Sequence, residues 1–361
     1  MSDGKLTFID EIELTNKKIL LRADFDVSLN PDFTIDDDFR IRQNLPTIKF
    51  LLGNKNRLIC VAKLGRPKER NPQYSLKIVA ERLKQYLPSY KIKLIDDFLT
   101  DTGQVQIDSQ AENEILVLEN IRFYPQEKAN DQQFAQKLAA LADTYVEDAF
   151  AMCHRYEASI IGIPQYLPAY GGLLLKKEIA MISKATSNPQ RPLVAIIGGI
   201  KLETKLGVVN RFLSLADYVL VGSGLIRSVS KDTKIIIPSD AVLDNGRVKV
   251  IPDLMVEDKI MDIGPQAQAE FSLIIAQAKT IVWNGPMGYF EDVRFRKGTD
   301  AVYEAIINNQ NAVSIVGGGN TLAAIAKKNN LDKITHLSTG GGAMLTFIEK
   351  GTLPGIEALR K

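Results

Sequence analysis

The stretch Leu193-Val194-Ala195-Ile196-Ile197-Gly198-Gly199-Ile200-Lys201 reads as a buried strand running straight into a glycine turn. Its unbroken apolar run fits a parallel strand covered on both faces, and the paired glycines permit a tight exit. Lys201 and Lys205 follow at i, i+4, the spacing of one helix face. Strand, glycine turn and helix together form the repeating unit of open α/β sheets, in which ligands gather beyond the carboxyl ends of the strands.

Working outward, the same alternation recurs. Downstream, strands are expected at 218–221, 234–237, 280–283, 312–316 and 335–337; upstream, at 18–21, 58–62, 92–95, 115–118 and 144–147. Ile41, Leu45, Ile48 and Leu52 fall at helical spacing between them, as do Phe134, Leu138 and Leu141, with Ser75 and Asn130 as expected N-caps. The segment 168–185 carries Leu173, Leu174, Ile179 and Ile182 in helical register and reads as a connecting helix. A chain of 361 residues exceeds what one core supports. The expected fold is α/β, with two doubly wound, parallel-sheet (Rossmann-like) domains joined by a hinge helix. They span 1–170 and 171–349, and the tail 350–361 packs back on the first.

Composition narrows the function. With 45 basic and 43 acidic residues the formal charge is +2, which gives no general attraction to nucleic acid or membrane. Any anion site must therefore come from local placement. Cys60 and Cys153 are the only cysteines and sit in apolar surroundings, so buried reduced thiols are expected rather than a disulfide framework. With only His154 and His336, a structural zinc site is not expected. No signal-like pattern opens the chain and no apolar run reaches spanning length, so the expected compartment is the cytoplasm.

The positions just after the strands differ between the halves. In the first they are charged: Arg22 and Asp24, Lys63 and Arg66, Arg122, Asp148, then His154 and Arg155. One such arginine is ordinarily surface charge. Repeated after strand upon strand, their planar forks would hold a small polyanion. In the second half the positions are glycine-rich: Gly198-Gly199, Gly222-Ser223-Gly224, Asn284-Gly285-Pro286-Met287-Gly288, Gly317-Gly318-Gly319-Asn320-Thr321 and Thr339-Gly340-Gly341-Gly342. Such loops let backbone N–H groups approach phosphate oxygens. There is no Walker sequence, no complete dinucleotide fingerprint at Gly222-Ser223-Gly224-Leu225-Ile226-Arg227, and no nucleophile elbow. An anion rim and a phosphate cradle suggest direct transfer between two bound substrates.

These motifs also resemble a known family. Arg22-Ala23-Asp24-Phe25-Asp26, Leu64-Gly65-Arg66-Pro67-Lys68, Leu118-Glu119-Asn120-Ile121-Arg122-Phe123, Glu147-Asp148-Ala149-Phe150 with His154-Arg155, Gly198-Gly199-Ile200-Lys201, Trp283-Asn284-Gly285-Pro286 and both late triple-glycine loops are similar, in order, to phosphoglycerate kinase. The resemblance implies reversible phosphoryl transfer between 1,3-bisphosphoglycerate with ADP and 3-phosphoglycerate with ATP, by domain closure and in-line transfer. It further implies Mg²⁺ as cofactor and a monomer. By the same resemblance Asp24, Asp26, Arg40, Lys63, Arg66, Arg122, His154 and Arg155 belong to the phosphoglycerate site. Lys201, Lys205, Gly222, Gly264, Asn284, Glu291, Gly318, Gly319, Asn320 and Thr321 belong to the nucleotide site, with Glu291 at the ribose and Asn320 near the metal. Arg40, Lys205, Gly341 and Gly342 form the catalytic group.

The chain departs from the family pattern in places. Asn320 and Thr204 replace aspartates, Lys63 and Glu157 replace histidines, and Asp26 replaces an asparagine. The segment between Gly224 and Asp240 is shortened beside the expected adenine position. The alternative expectation is a weakened relative that binds nucleotide or anion without turnover.

Overall fold

The computed structural model describes residues 4–199, 206–229 and 232–360. The chain forms two compact units, Met1–Glu178 with Thr352–Lys361, and Ile179–Gly351. The chain passes from one to the other inside the helix Leu173–Thr186, later than the expected position 170.

The first unit holds β1 (Lys18–Arg22), β2 (Arg57–Val61), β3 (Lys91–Ile95), β4 (Glu114–Leu118), β5 (Thr144–Glu147) and β6 (Ala169–Gly171). They form one parallel sheet in the order β3-β4-β2-β1-β5-β6. Ile19, Leu20, Leu21, Leu58, Ile59, Cys60 and Val61 are fully buried, because helices cover both faces and leave no polar side to alternate with. The helix Phe39–Gly53 lays Ile41, Ile48, Leu51 and Leu52 onto that core. Each such side chain contributes about 1.5–3 kcal/mol by leaving water.

The second unit holds β7 (Leu193–Ile197), β8 (Tyr218–Val221), β9 (Ile235–Ile236), β10 (Thr280–Asn284), β11 (Val313–Gly317) and β12 (His336–Ser338). Their order is β9-β8-β7-β10-β11-β12, again parallel throughout. Trp283, Phe271 and Ile196 centre its core.

Strand order fixes where ligands can gather. In the first sheet the chain leaves β1 toward β2 but leaves β5 toward β6, so connections diverge between β1 and β5. In the second they diverge between β7 and β10. A crevice opens at the carboxyl ends of such a pair.

Some local expectations are corrected. The segment expected to be helical from 168 begins instead with the edge strand β6, and the helix starts at Leu173. Asn130 lies in the left-handed region at φ 51°, and Asp131 is the cap, accepting the Phe134 N–H at 2.7 Å. Ser75 precedes the N-cap Leu76; its hydroxyl accepts the Lys77 N–H and donates to Glu119. An antiparallel sheet of Asp240–Leu243, Val248–Val250 and Ile260–Ile263, and a hairpin of Ser28–Leu29 with Ile35–Asp37, carry no strong apolar run.

Candidate active site

At the β1/β5 crevice, Asp24 follows β1 and its side chain is wholly out of solvent. Arg40, in the first turn of the helix Phe39–Gly53, donates to its Oδ2 at 2.5 Å. Asn44, one turn further on, locks the pair in place. Its Oδ1 accepts the Asp24 N–H at 3.2 Å, and its Nδ2 donates to the carbonyls of Asp24 at 3.1 Å and Arg40 at 2.9 Å. Burial works against the Arg40 charge, but Asp24 and Asp26 outweigh it and hold its pKa above the ordinary value.

Lys63, just past β2, is buried and paired with Asp26, whose other oxygen accepts the Gly65 N–H at 2.8 Å. Burial pushes Asp26 up, yet Lys63, Arg40 and the Gly65 amide together hold it below the usual carboxylate range. Burial is the larger influence on Lys63 and lowers it against the pull of Asp26 and Asp24. Arg66 stands next in the same loop, exposed, with no hydrogen bond or ion pair among the described residues. Gly65 turns this loop at φ +64°, where an added Cβ would meet the Tyr74 ring at 2.5 Å.

Asn120, after β4, ties two of these loops together. Its Nδ2 donates to the carbonyls of Leu64 and Tyr74, both at 2.8 Å, while its Oδ1 accepts the Arg122 N–H at 3.0 Å. Arg122 Nη2 then donates to both carboxylate oxygens of Glu157, at 2.7 and 2.8 Å. Arg155 reaches the same carboxylate at 3.7 Å. His154 is half-buried, and burial, with Arg155 beside it, holds its imidazole below its ordinary pKa.

Two members of the expected rim are engaged elsewhere. Arg22 is fully buried, donating to Ser159 Oγ and the Ala23 carbonyl at 2.9 Å each. Its charge offsets the buried Glu147 and Glu127. Asp148 turns to the helix Leu173–Thr186, where its Oδ1 accepts two backbone N–H groups. Burial pushes both Glu147 and Asp148 up to about 7.

The second unit gathers its glycine loops at β7/β10. The Gly198 N–H donates to the Asn284 carbonyl and the Gly199 N–H to the Pro286 carbonyl, both at 3.0 Å. A Cβ on Gly198 would lie 2.0 Å from the Pro286 oxygen, so only glycine admits this approach. The Gly222 N–H donates to the Ile197 carbonyl at 2.9 Å, bringing the loop after β8 alongside. Thr321 Oγ1 accepts the Gly285 N–H at 2.7 Å and joins the loops after β10 and β11. Gly318, at φ +104°, lies against the Asn284 amide, and Gly341 approaches Gly318 and Gly319. The Asn284 Nδ2 is buried with no hydrogen-bond partner among the described residues. A buried unmet donor of this kind suits an anionic ligand oxygen. Gly342 opens the helix Gly342–Lys350, whose first N–H groups have no intrahelical partner.

Gly264 stands at the end of the antiparallel sheet, where an added Cβ would meet the Asp240 carboxylate at 2.2 Å. Glu291 is exposed in the turn after β10. Asn320 is exposed beside Gly319. Lys201, Lys205 and Thr204 lie outside the described residues. Among the described residues no group of three or more His, Cys, Asp or Glu could hold a metal ion. Asn320 offers one amide oxygen, which suits a metal carried in by phosphates rather than one caged by protein. In the shortened region Ser223, Gly224, Arg227, Asp258 and Ile260 line a cavity of about 200 Å³. Arg227 braces it by donating to the carbonyls of Met255, Val256 and Asp258.

Sequence reasoning missed Asn44 and Asn120. Asn44 and Thr47 are the buried polar residues between Ile41 and Ile48 on an otherwise apolar helix face, and that break in the stripe was the available signal. Asp26 and Glu157, visible in the sequence only as departures from the family pattern, are each paired with a cation.

Against known proteins, the family model described as phosphoglycerate kinase matches residues 9–231 and 224–351. A phosphoglycerate kinase of Dictyoglomus turgidum is 40% identical over 395 aligned positions, covering 99% of this chain and 99% of the relative. That alignment is longer than the chain, so the relative carries residues absent here. "Phosphoglycerate kinase 3, cytosolic" of Arabidopsis thaliana is 37% identical, covering 97% of both. Among solved structures, phosphoglycerate kinase from Pyrococcus horikoshii OT3 superposes with a TM-score of 0.87 at 28% identity, and that from Coxiella burnetii with 0.81 at 33%, each covering 98% of both chains.

Proposed function

The chain belongs to the phosphoglycerate kinase family, and from that premise we propose a division of labour among its residues. The protein is a phosphotransferase acting between the acyl phosphate of 1,3-bisphosphoglycerate and ADP, and in reverse between ATP and the carboxylate of 3-phosphoglycerate. In the forward direction a terminal ADP oxygen attacks the acyl phosphorus. The phosphorus–oxygen bond to the acyl carbon breaks, and the leaving group departs as a carboxylate. No proton needs to move, so catalysis reduces to positioning and charge stabilisation.

The rim at β1/β5 takes the phosphoglycerate. Arg66 is free to meet its phosphate, and Arg122 and Arg155 share one carboxylate between two cations. Arg40, fixed by Asp24, lies with Lys63 at the reacting end, and His154 stands nearby as a neutral donor. The cradle at β7/β10 takes the nucleotide, with Asn284 Nδ2 and the amides near Gly318 and Gly319 on phosphate oxygens. Lys201, Gly222, Gly264, Glu291 and Thr321 complete that site, Glu291 at the ribose. Lys205, Gly341 and Gly342 serve the phosphoryl group in flight. Magnesium bound to the nucleotide would neutralise phosphate charge, and the Asn320 carbonyl oxygen would help hold it. We place the protein in the cytoplasm, in keeping with the cytosolic relative of Arabidopsis thaliana. We assign small-molecule substrates alone and a monomeric state.

The observation that carries this reading is the unmet Asn284 amide inside a ring of glycine loops, within a chain whose other sheet presents arginines at the equivalent crevice. A coupled assay with purified protein, Mg²⁺, ATP and 3-phosphoglycerate tests it. Turnover is expected. Binding of ADP with no turnover in either direction would replace this reading with that of a nucleotide-binding protein.

A further inference from the structure

The phosphoglycerate rim already contains an anion. Glu157 accepts with both oxygens from one nitrogen of Arg122, Nη2, at 2.7 and 2.8 Å, and the two side chains are only 6% and 5% exposed. Its Oε1 also lies 3.7 Å from Arg155 Nη1. Arg122 Nε and Arg155 Nε are both buried with no hydrogen-bond partner among the described residues. One carboxylate thus serves two guanidinium groups and leaves donors on each unmet. Glu157 thereby holds the Nη2 donor of Arg122 that an anionic group of the substrate would also seek.

Arg122 does not need Glu157 to fix its backbone, since Asn120 accepts its N–H and pins the turn. Glu157 in turn is anchored by its own backbone, its carbonyl accepting the N–H groups of Ile160 and Ile161 at 3.0 Å each. Both partners therefore remain in place when their side chains separate.

We propose that Glu157 is an affinity-setting residue, an internal anion that occupies Arg122 and Arg155 in the empty site and is exchanged for an anionic group of phosphoglycerate on binding. Before substrate binds it neutralises Arg122, which is buried and would otherwise be desolvated and unpaired, and lies beside the part-exposed Arg155. On binding, its displacement takes back part of the free energy that the substrate gains. Asp26 stands in the same relation to Lys63, so each pair places a fixed negative charge on a cation of this rim.

This inference rests on the assignment of Arg122 to the phosphoglycerate site, and the two can fail separately. Steady-state kinetics would be measured for the wild type, Glu157→Gln, Glu157→Asp and Arg122→Gln, with inorganic phosphate as a competing anion. Glu157→Gln is expected to lower both the KM for 3-phosphoglycerate and the inhibition constant of phosphate about tenfold, the lower end of coupling between close charge pairs. Glu157→Asp keeps the charge but withdraws it by one methylene, and is expected to lower both by less. If Gln fails to fold, the Asp variant alone decides. An unchanged or raised KM in the folded variants overturns the proposal, because a carboxylate that merely oriented Arg122 would have that signature. Arg122→Gln is expected to raise the KM sharply; a wild-type value there removes the site assignment and the proposal with it.

Discussion

Asp148 Oδ1 accepts the backbone N–H of Leu174 at 2.9 Å, from a carboxyl that burial has pushed up to about 7. The same oxygen accepts the Leu175 N–H at 3.1 Å, so one acid from the end of β5 caps the helix through which the chain leaves the first unit. Its folded pKa is raised above the unfolded value of about 3.9. The stability it contributes is therefore fully present below about pH 4 and is lost as pH rises through about 7. Melting temperature is expected to fall between about pH 4 and about pH 7, and to fall less in Asp148→Asn, which keeps an acceptor for both amides. Melts across that range check this; parallel slopes for the two proteins would refute it.

Arg66 is exposed and makes no ion pair among the described residues. Arg66→Ala should shift stability by no more than about 0.5 kcal/mol. The KM for 3-phosphoglycerate should rise at least about tenfold, since a hydrogen bond to a charged group is worth about 1.5–3 kcal/mol. Thermal melts beside initial rates separate the two effects, and an unchanged KM would take Arg66 out of the site.

Lys205→Ala is expected to cut kcat by about 10²–10³, the usual effect of removing one preorganised donor to developing charge. The KM values should move far less. Single-turnover measurements distinguish a lost chemical step from slow product release, and near-normal kcat would assign the migrating charge to other residues.

Asn320→Asp gives the metal an anionic oxygen where the chain has an amide. The Mg²⁺ concentration for half-maximal rate should fall by about tenfold or less, as hard cations favour charged oxygen ligands. A magnesium titration at fixed nucleotide reads this directly. If neither metal dependence nor rate changes, the Asn320 side chain does not contact the metal.

The sheets were legible because their strands are apolar runs buried on both faces: the expected strand at 144–147 is β5, and Leu193–Ile197 is β7. β6 was not, because Ala169-Tyr170-Gly171 has no β-branched residue and precedes a strong helical pattern. Likewise Asp240–Leu243 with its partners is a small antiparallel sheet held by local pairing rather than by a deep apolar run. At the site, residue types showed which loops carry charge, but not which charges are spent on one another. Arg22 and Arg122 look equivalent as letters following strands. Only the fold turns Arg22 inward to Ser159 and sets Arg122 against Glu157. Such pairings join residues far apart in sequence, and no local pattern encodes them.

The last segment of the chain returns to the first unit, with Leu353, Ile356 and Leu359 buried and the Gly355 N–H donating to the Cys153 carbonyl at 2.8 Å. Gly355 sits so near Ile160 and Cys153 that an added Cβ would lie 2.9 Å from one and 3.0 Å from the other. A nascent chain that has released its first 178 residues from the ribosome is therefore missing a wall of that unit. It must hold Cys153 and Ile160 uncovered while the whole of the second unit is translated. The half that emerges first is the half completed last, so a chain stalled before residue 352 yields a finished second unit attached to an unfinished first.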